Sequence, residues 1–139
     1  MIWFQSVSIE QLNERSTKDM THFLEMEFTE IGEDYLKGKM PVTDKIRQPM
    51  GIVHGGAYVS FAETLGSLAA NLCIDLSKSY AVGLNIFSNH LKSCSKGTLF
   101  GEAKAVHIGK STQVWEIQIF NDDFKLLNVS RLTMMIKDR

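Results

Sequence analysis

Apolar and polar residues along this chain change period several times, and each change marks an element. Ser8 and Gln11 stand at the Ser-x-x-Gln spacing of a capping box, with Val7 and Leu12 placed to form the hydrophobic staple around it. A short helix through Leu12, Asn13 and Glu14 is predicted, with a second helical turn between Lys18 and Phe23. From Leu24 the period becomes two: Leu24, Met26 and Phe28 alternate with Glu25, Glu27 and Thr29, the pattern of a strand with one wet face. Gly32-Glu33-Asp34 turns the chain. Leu36, Gly38, Met40 and Val42 then alternate with Tyr35, Lys37 and Lys39 on the return, so the two strands read as a hairpin. Between Thr43 and Val53, Pro49 and Gly51 rule out regular structure.

His54-Gly55-Gly56 opens the one long helical pattern, from Ala57 to about Cys73. Ala57, Ala62, Gly66, Ala69 and Ala70 are small, and Glu63 is the only charged residue between Gly56 and Asp75. A helix without a charged face is not a surface helix. It is expected to be largely surrounded, by a sheet that wraps closely against its small residues. After Ser79 the strands resume: Ala81 to Lys92, Thr98 to Ile108, Thr112 to Phe120 and Leu126 to Ile136. Ser95-Lys96-Gly97, Gly109-Lys110-Ser111 and Asn121-Asp122-Asp123 are the turns between them. No repeat, low-complexity tract or linker interrupts the order. It is met by a single α+β domain over residues 1–139, a curled six-stranded antiparallel sheet around one central helix.

Composition then removes whole classes of function. The chain has 139 residues, 44% of them hydrophobic, enough for one sizeable core. Lys and Arg number 15 against 16 Asp and Glu, without the basic excess of a nucleic-acid or polybasic membrane-surface protein. No apolar run reaches the ~18 residues needed to span a bilayer. Met1-Ile2-Trp3-Phe4-Gln5 does not have the charged start and apolar stretch of a secretory signal, so a cytoplasmic location is expected. Cys73 and Cys94 lie in no CxxC or Cys/His ligand spacing. His54 and Glu63 suggest no third ligand for zinc, and neither a Gly-x-Ser-x-Gly elbow nor a P-loop is present.

The residues that stand out chemically cluster around the long helix. A carboxylate in the middle of an otherwise uncharged helix is costly unless it is paired or open to a cleft, and such a group serves as general base or nucleophile. The bland alternative for Glu63 is a side chain reaching water through a gap in the sheet. Gly55 and Gly56 sit where the helix begins, so their N–H groups are orphan donors at the positive end of the dipole, suited to an oxyanion hole. The bland alternative there is a tight entry turn. Ser67, one turn beyond Glu63, can hydrogen-bond the carboxylate or a water.

Read together, these segments resemble the hotdog-fold acyl-CoA thioesterases. The branch includes enzymes of phenylacetate, 4-hydroxybenzoyl-CoA and 1,4-dihydroxy-2-naphthoyl-CoA metabolism and those acting on misloaded aryl carrier protein. The resemblance runs from Met1-Ile2-Trp3 through Ile31-Gly32-Glu33-Asp34 and Met40-Pro41-Val42 to Ser130-Arg131-Leu132-Thr133. Its specific part is Gln48-Pro49-Met50-Gly51 with Val53-His54-Gly55-Gly56 and Ala62-Glu63-Thr64-Leu65-Gly66-Ser67. It implies a hotdog fold and hydrolysis of aryl or bulky acyl-CoA thioesters, with Glu63 attacking and Gly55 polarising the carbonyl. Gln48 would orient the thioester or water, His54 would stand beside the leaving sulfur, and Ser67 would support Glu63. Gly56, Thr64, Leu68 and His90 are expected to line the substrate, and Gly109-Lys110-Ser111 to hold the CoA phosphates. No metal or organic cofactor is implied beyond the substrate's own coenzyme A. Acyl-CoA is the expected partner, with acyl carrier protein as a second one, and the expected assembly is a homodimer built into a homotetramer. The alternatives are a non-catalytic acyl-CoA or acyl-carrier-binding hotdog module, and a hotdog hydratase or dehydratase, whose Asp–His pair would fall where this chain has Gln48-Pro49. The candidate edges for subunit pairing are the strands Ala81 to Lys92 and Leu126 to Ile136, because unpaired edges invite pairing.

Overall fold

The capping box forms as its spacing requires. In the computed structural model, which describes residues 1–139, Ser8 Oγ accepts the Gln11 N–H at 3.2 Å and Gln11 Oε1 accepts the Ser8 N–H at 2.9 Å. Helix α1 (Ile9–Glu14) follows, burying Leu12, and α2 (Met20–Phe23) is capped by Asp19. The alternation of Leu24, Met26 and Phe28 is real in burial, but strand β1 (Glu27–Ile31) begins three residues later than the period suggests. Glu25 has φ +59°, so the chain is still turning out of α2 there while apolar side chains already point inward. Strand β2 (Tyr35–Pro41) returns antiparallel to β1 with Leu36 and Met40 fully buried. A 3₁₀ turn, Asp44–Ile46, and a bridge between Arg47 and Val53 are the regular features of the next loop.

Helix α3 (Gly55–Leu72) starts two residues earlier than predicted, with both glycines inside its first turn. The strands β3 (Ser79–His90), β4 (Thr98–Ile108), β5 (Thr112–Phe120) and β6 (Leu126–Asp138) complete one antiparallel sheet in the order β1-β2-β4-β5-β6-β3. Strand β6 therefore lies between β5 and β3 and is not an edge; β3 is the edge strand of that half, which corrects one of the two pairing candidates.

The inner face of the sheet buries Phe61, Ala62, Leu65, Gly66, Ala69 and Ala70 of α3. Small residues matter because the approach is close: a Cβ on Gly66 would stand 2.6 Å from Leu132 Cδ2. Gln113, fully buried, accepts from Trp115 Nε1 at 2.9 Å and donates to the Ala70 carbonyl at 3.4 Å, tying helix to sheet. The N-terminal segment closes one end. The Trp3 ring stacks on Trp115 with 6.1 Å between centroids, and the Phe4 and Gln5 N–H groups donate to the Leu72 carbonyl, an otherwise orphan helix-end acceptor.

The sheet covers only part of the helix, contrary to the expectation that it surrounds it. Val59, Ser60, Glu63, Thr64, Ser67, Leu68 and Asn71 form a half-buried stripe at helical spacing. Beside it, β3 exposes Leu84, Phe87 and, just past its end, Leu91 at 56%, 67% and 54%. The stripe of α3 that carries Glu63 and the apolar edge of the sheet are thus left open together.

Candidate active site

The entry of α3 sets the first half of the site. His54 is its N-cap in extended conformation, and His54 Nδ1 accepts the Gly56 N–H at 2.8 Å. One of the two donors expected to face a carbonyl is therefore used in capping the helix. The Gly55 N–H has no partner. Gly55 is needed here for close approach: a Cβ on it would stand 2.8 Å from His90 Nε2.

A cavity of about 280 Å³ opens in front of Gly55, walled by Gln48, Ile52, Val53, Tyr58 and His90 and continued by Leu91, Lys92 and Ser93. Gln48 is fixed by a tight loop: its N–H donates to the Ile52 carbonyl at 2.9 Å and its carbonyl accepts from Gly51 at 2.9 Å. Gly51 has φ +81°, a conformation that favours glycine. Gln48 Oε1 accepts the Met50 N–H, so the side-chain amide keeps its N–H groups for other partners. Tyr58 is 2% exposed and its ring lies 5.7 Å from that of His90. Burial pushes its phenol up to about 12, with Cys94 adding to the rise, so it is a neutral hydroxyl; Oη has no partner in the chain.

Glu63 forms a second, separate centre. It lies on the half-buried stripe of α3, and its Oε1 occupies the space that a side chain on Gly83 would take. Burial raises its carboxyl above the ordinary carboxylate value, and the Ser67 hydroxyl one turn on opposes the rise. Ser67 Oγ also donates to Met134 Sδ at 3.7 Å, and Met134 is the ladder partner of Gly83. Thr64 Oγ1 donates to the Ser60 carbonyl at 2.8 Å within the helix, and Leu68 packs against the core. Gly109, Lys110 and Ser111 form the β4–β5 turn, closed by Gly109 N–H donating to the Thr112 carbonyl at 2.9 Å, with Lys110 exposed. Thr112 pairs with Met135, and Met135 with Val82, so this turn lies at the Glu63 end of the sheet.

The chain thus brings Gln48, Gly55 and His90 together, with His54 and Gly56 behind them at the helix cap. It groups Glu63, Ser67 and the 109–111 turn at the other end. Eight residues separate Gly55 from Glu63, about 12 Å along a helix axis. The seven strand positions from Gly83 to His90 span on the order of 20 Å. Tyr58, Ile52 and Leu91 were not singled out from the sequence; nor was Gly83, although a glycine inside a strand signals close approach by another group. No three His, Cys, Asp or Glu side chains gather as a metal site, and no helix is long and apolar enough to cross a membrane.

Known proteins resemble this chain in sequence and fold. The sequence profile of the Thioesterase superfamily matches residues 50–127. A 1,4-dihydroxy-2-naphthoyl-CoA hydrolase of Escherichia coli is 41% identical over 98% of this chain and 99% of that protein. A proofreading thioesterase, EntH, of Cronobacter turicensis is 35% identical over 98% of both. Among solved structures, a thioesterase of Haemophilus influenzae superposes with TM-score 0.96 at 37% identity, covering 99% of this chain and 96% of that one.

Proposed function

The chain belongs to the thioesterase superfamily and is a hotdog-fold acyl-CoA thioester hydrolase, and from that premise we propose that it cleaves aryl-acyl thioesters at sites shared between two subunits. The observation that carries the shared site is the separation just described. A carbonyl on the Gly55 N–H needs its attacking group within ~3 to 3.5 Å of the carbon, and Glu63 of the same chain lies a helix segment away. Two copies related by a twofold axis remove the gap. If β3 pairs antiparallel with the partner's β3, and Gly83 of one faces His90 of the other, the axis passes near Ile86 and Phe87. Glu63 then faces the partner's Gly55. The exposed edge of β3 and the open stripe of α3 supply the surfaces for this pairing.

In that arrangement Gly55 polarises the thioester carbonyl while Gln48 orients it. Glu63 of the neighbouring subunit attacks the carbon or draws a proton from a water that does. The C–S bond breaks and the thiolate leaves as coenzyme A; where Glu63 itself has attacked, water then hydrolyses the mixed anhydride left on its carboxylate, and by either route the acid is released. Raising the Glu63 carboxyl by burial favours a basic, weakly solvated carboxylate. Lys110 and its turn come from the Glu63 subunit and present a cation to the CoA phosphates. His54 acts through the helix cap that leaves Gly55 free. Tyr58, His90, Ile52, Val53 and Leu91 give a flat, partly aromatic wall suited to an aryl group, and the Escherichia coli relative is named for a naphthoyl substrate. Aryl-carrier thioesters are the second substrate class, no added metal or cofactor takes part, and two such dimers associate as a tetramer. The two free cysteines suit a reducing cytoplasm.

The test is thiol release from benzoyl-CoA, naphthoyl-CoA, acetyl-CoA and a carrier-bound aryl group, with and without chelator. Aryl thioesters are expected to be preferred by kcat/KM. Glu63→Gln is expected to lower kcat by at least about a hundredfold; near-normal turnover of that variant would refute the assignment.

A further inference from the structure

Next to the cavity, Asn128, Ser130 and Ser88 on β6 and β3 form a closed polar ring, and Asn128 also bonds His90 of the cavity wall. Asn128 and Ser130 of β6 are fully buried, and they face His90 and Ser88 directly across the ladder. Asn128 Nδ2 donates to Ser88 Oγ at 2.8 Å and to His90 Nδ1 at 3.0 Å. Ser130 Oγ donates to Asn128 Oδ1 at 2.9 Å and lies 2.8 Å from Ser88 Oγ, whose own proton closes the ring. Every donor then has an acceptor. With the Asn128 amide turned over, Ser130 Oγ is the single acceptor for two N–H groups, and one donor of a fully buried amide is left stranded, which buried polar groups rarely tolerate. The satisfied orientation makes His90 Nδ1 an acceptor, so the ring proton sits on Nε2. Nε2 is also the atom that packs on Gly55, 2.8 Å from where a Cβ would stand, in the wall of the Gln48 cavity.

We infer that Asn128 is a positioning residue: it holds His90 with its proton on Nε2, so that a second N–H donor stands beside the Gly55 N–H where the thioester oxygen binds. The inference rests on the reading of this cavity as the carbonyl-binding half of the site. The Gly56 N–H is taken by His54, so a lone backbone donor would otherwise face the developing oxyanion. A preorganised second donor contributes far more there than in water, because it needs no reorientation as charge builds. Two polar residues on a strand whose other buried positions are Leu127, Leu132 and Met134 make sense only if the ring is complete, since a half-satisfied buried network is worse than none.

The first readout needs no activity. Imidazole ¹⁵N spectra of the labelled protein, with His90 assigned by its absence in His90→Gln, are expected to report the Nε2–H tautomer. Asn128→Asp preserves shape but turns the donor into an acceptor, and is expected to move the ring proton to Nδ1. Turnover of benzoyl-CoA should then fall about 10- to 100-fold in kcat, with KM changed less than about twofold. Ser130→Ala, which frees Asn128 to turn over, is expected to give a smaller loss in kcat and a mixed tautomer; it serves if the buried Asp prevents folding. A wild-type Nδ1–H tautomer, or a displaced proton with kcat unchanged, would overturn the inference. If the wild-type protein itself releases no thiol, the thioesterase reading fails, while the spectra still decide the tautomer.

Discussion

Ionising a half-buried carboxylate costs free energy, and in the proposed mechanism that cost at Glu63 is the counterpart of reactivity. Burial raises its carboxyl and Ser67 only partly offsets the rise. Because the folded value lies above the unfolded one, the folded chain binds the proton more tightly. The ionised form therefore destabilises the fold above the folded pKa, and the penalty disappears as pH falls below the unfolded value. Glu63→Gln keeps the shape without the charge. Its Tm is expected to exceed that of wild type at pH 8, with the difference closing near pH 4; thermal melts across that range check it. With Glu63 as the proposed base or nucleophile, the same titration would set the activity limb: kcat should fall on acidification through a pKa above the ordinary carboxylate range, as Glu63 takes up its proton. A Tm lowered at pH 8 by the substitution would mean that a charge partner holds Glu63.

At the scale of elements, α3 and β3 would place the proposed chemistry, and Gly83 is where Glu63 meets the sheet. The atom crowding its Cα is the far end of the flexible Glu63 side chain, not backbone. Gly83→Ala is therefore expected to fold with Tm within a few degrees of wild type, yet to displace the carboxylate and lower kcat by roughly tenfold or more. Melting and thiol release together check this. Much of α3 was legible in the sequence, because small residues and a lone Glu63 admit few environments. Its start was not, since Gly55 and Gly56 look like a loop until His54 is seen to cap them. The inward period of Leu24, Met26 and Phe28 was legible too, but not the turn at Glu25 that delays β1. Sheet order is not a local property: β3 lies outside β6 because the chain crosses by α3 and returns, and no residue pattern in Leu126 to Ile136 records it. For the same reason Gln48 and Glu63 could be singled out singly, whereas the Asn128–Ser130–Ser88 ring and its bond to His90 depend on a ladder register that the sequence does not display.

At the scale of the molecule, the open stripe of α3 and the apolar edge of β3 are one continuous liability, which the proposed pairing with a second copy would remove. That pairing would also unite the Gly55 cavity of one subunit with Glu63 of the other. The most direct measurement uses two inactive parents, Glu63→Gln and Gln48→Ala, co-expressed and separated so that the heterodimer is confirmed by mass. In a shared-site dimer, each heterodimer holds one site with both native residues and one with neither. Random pairing makes about half of all dimers mixed, so the mixture is expected to recover about a quarter of wild-type activity per site. A confirmed heterodimer as inactive as its parents would contradict the shared site.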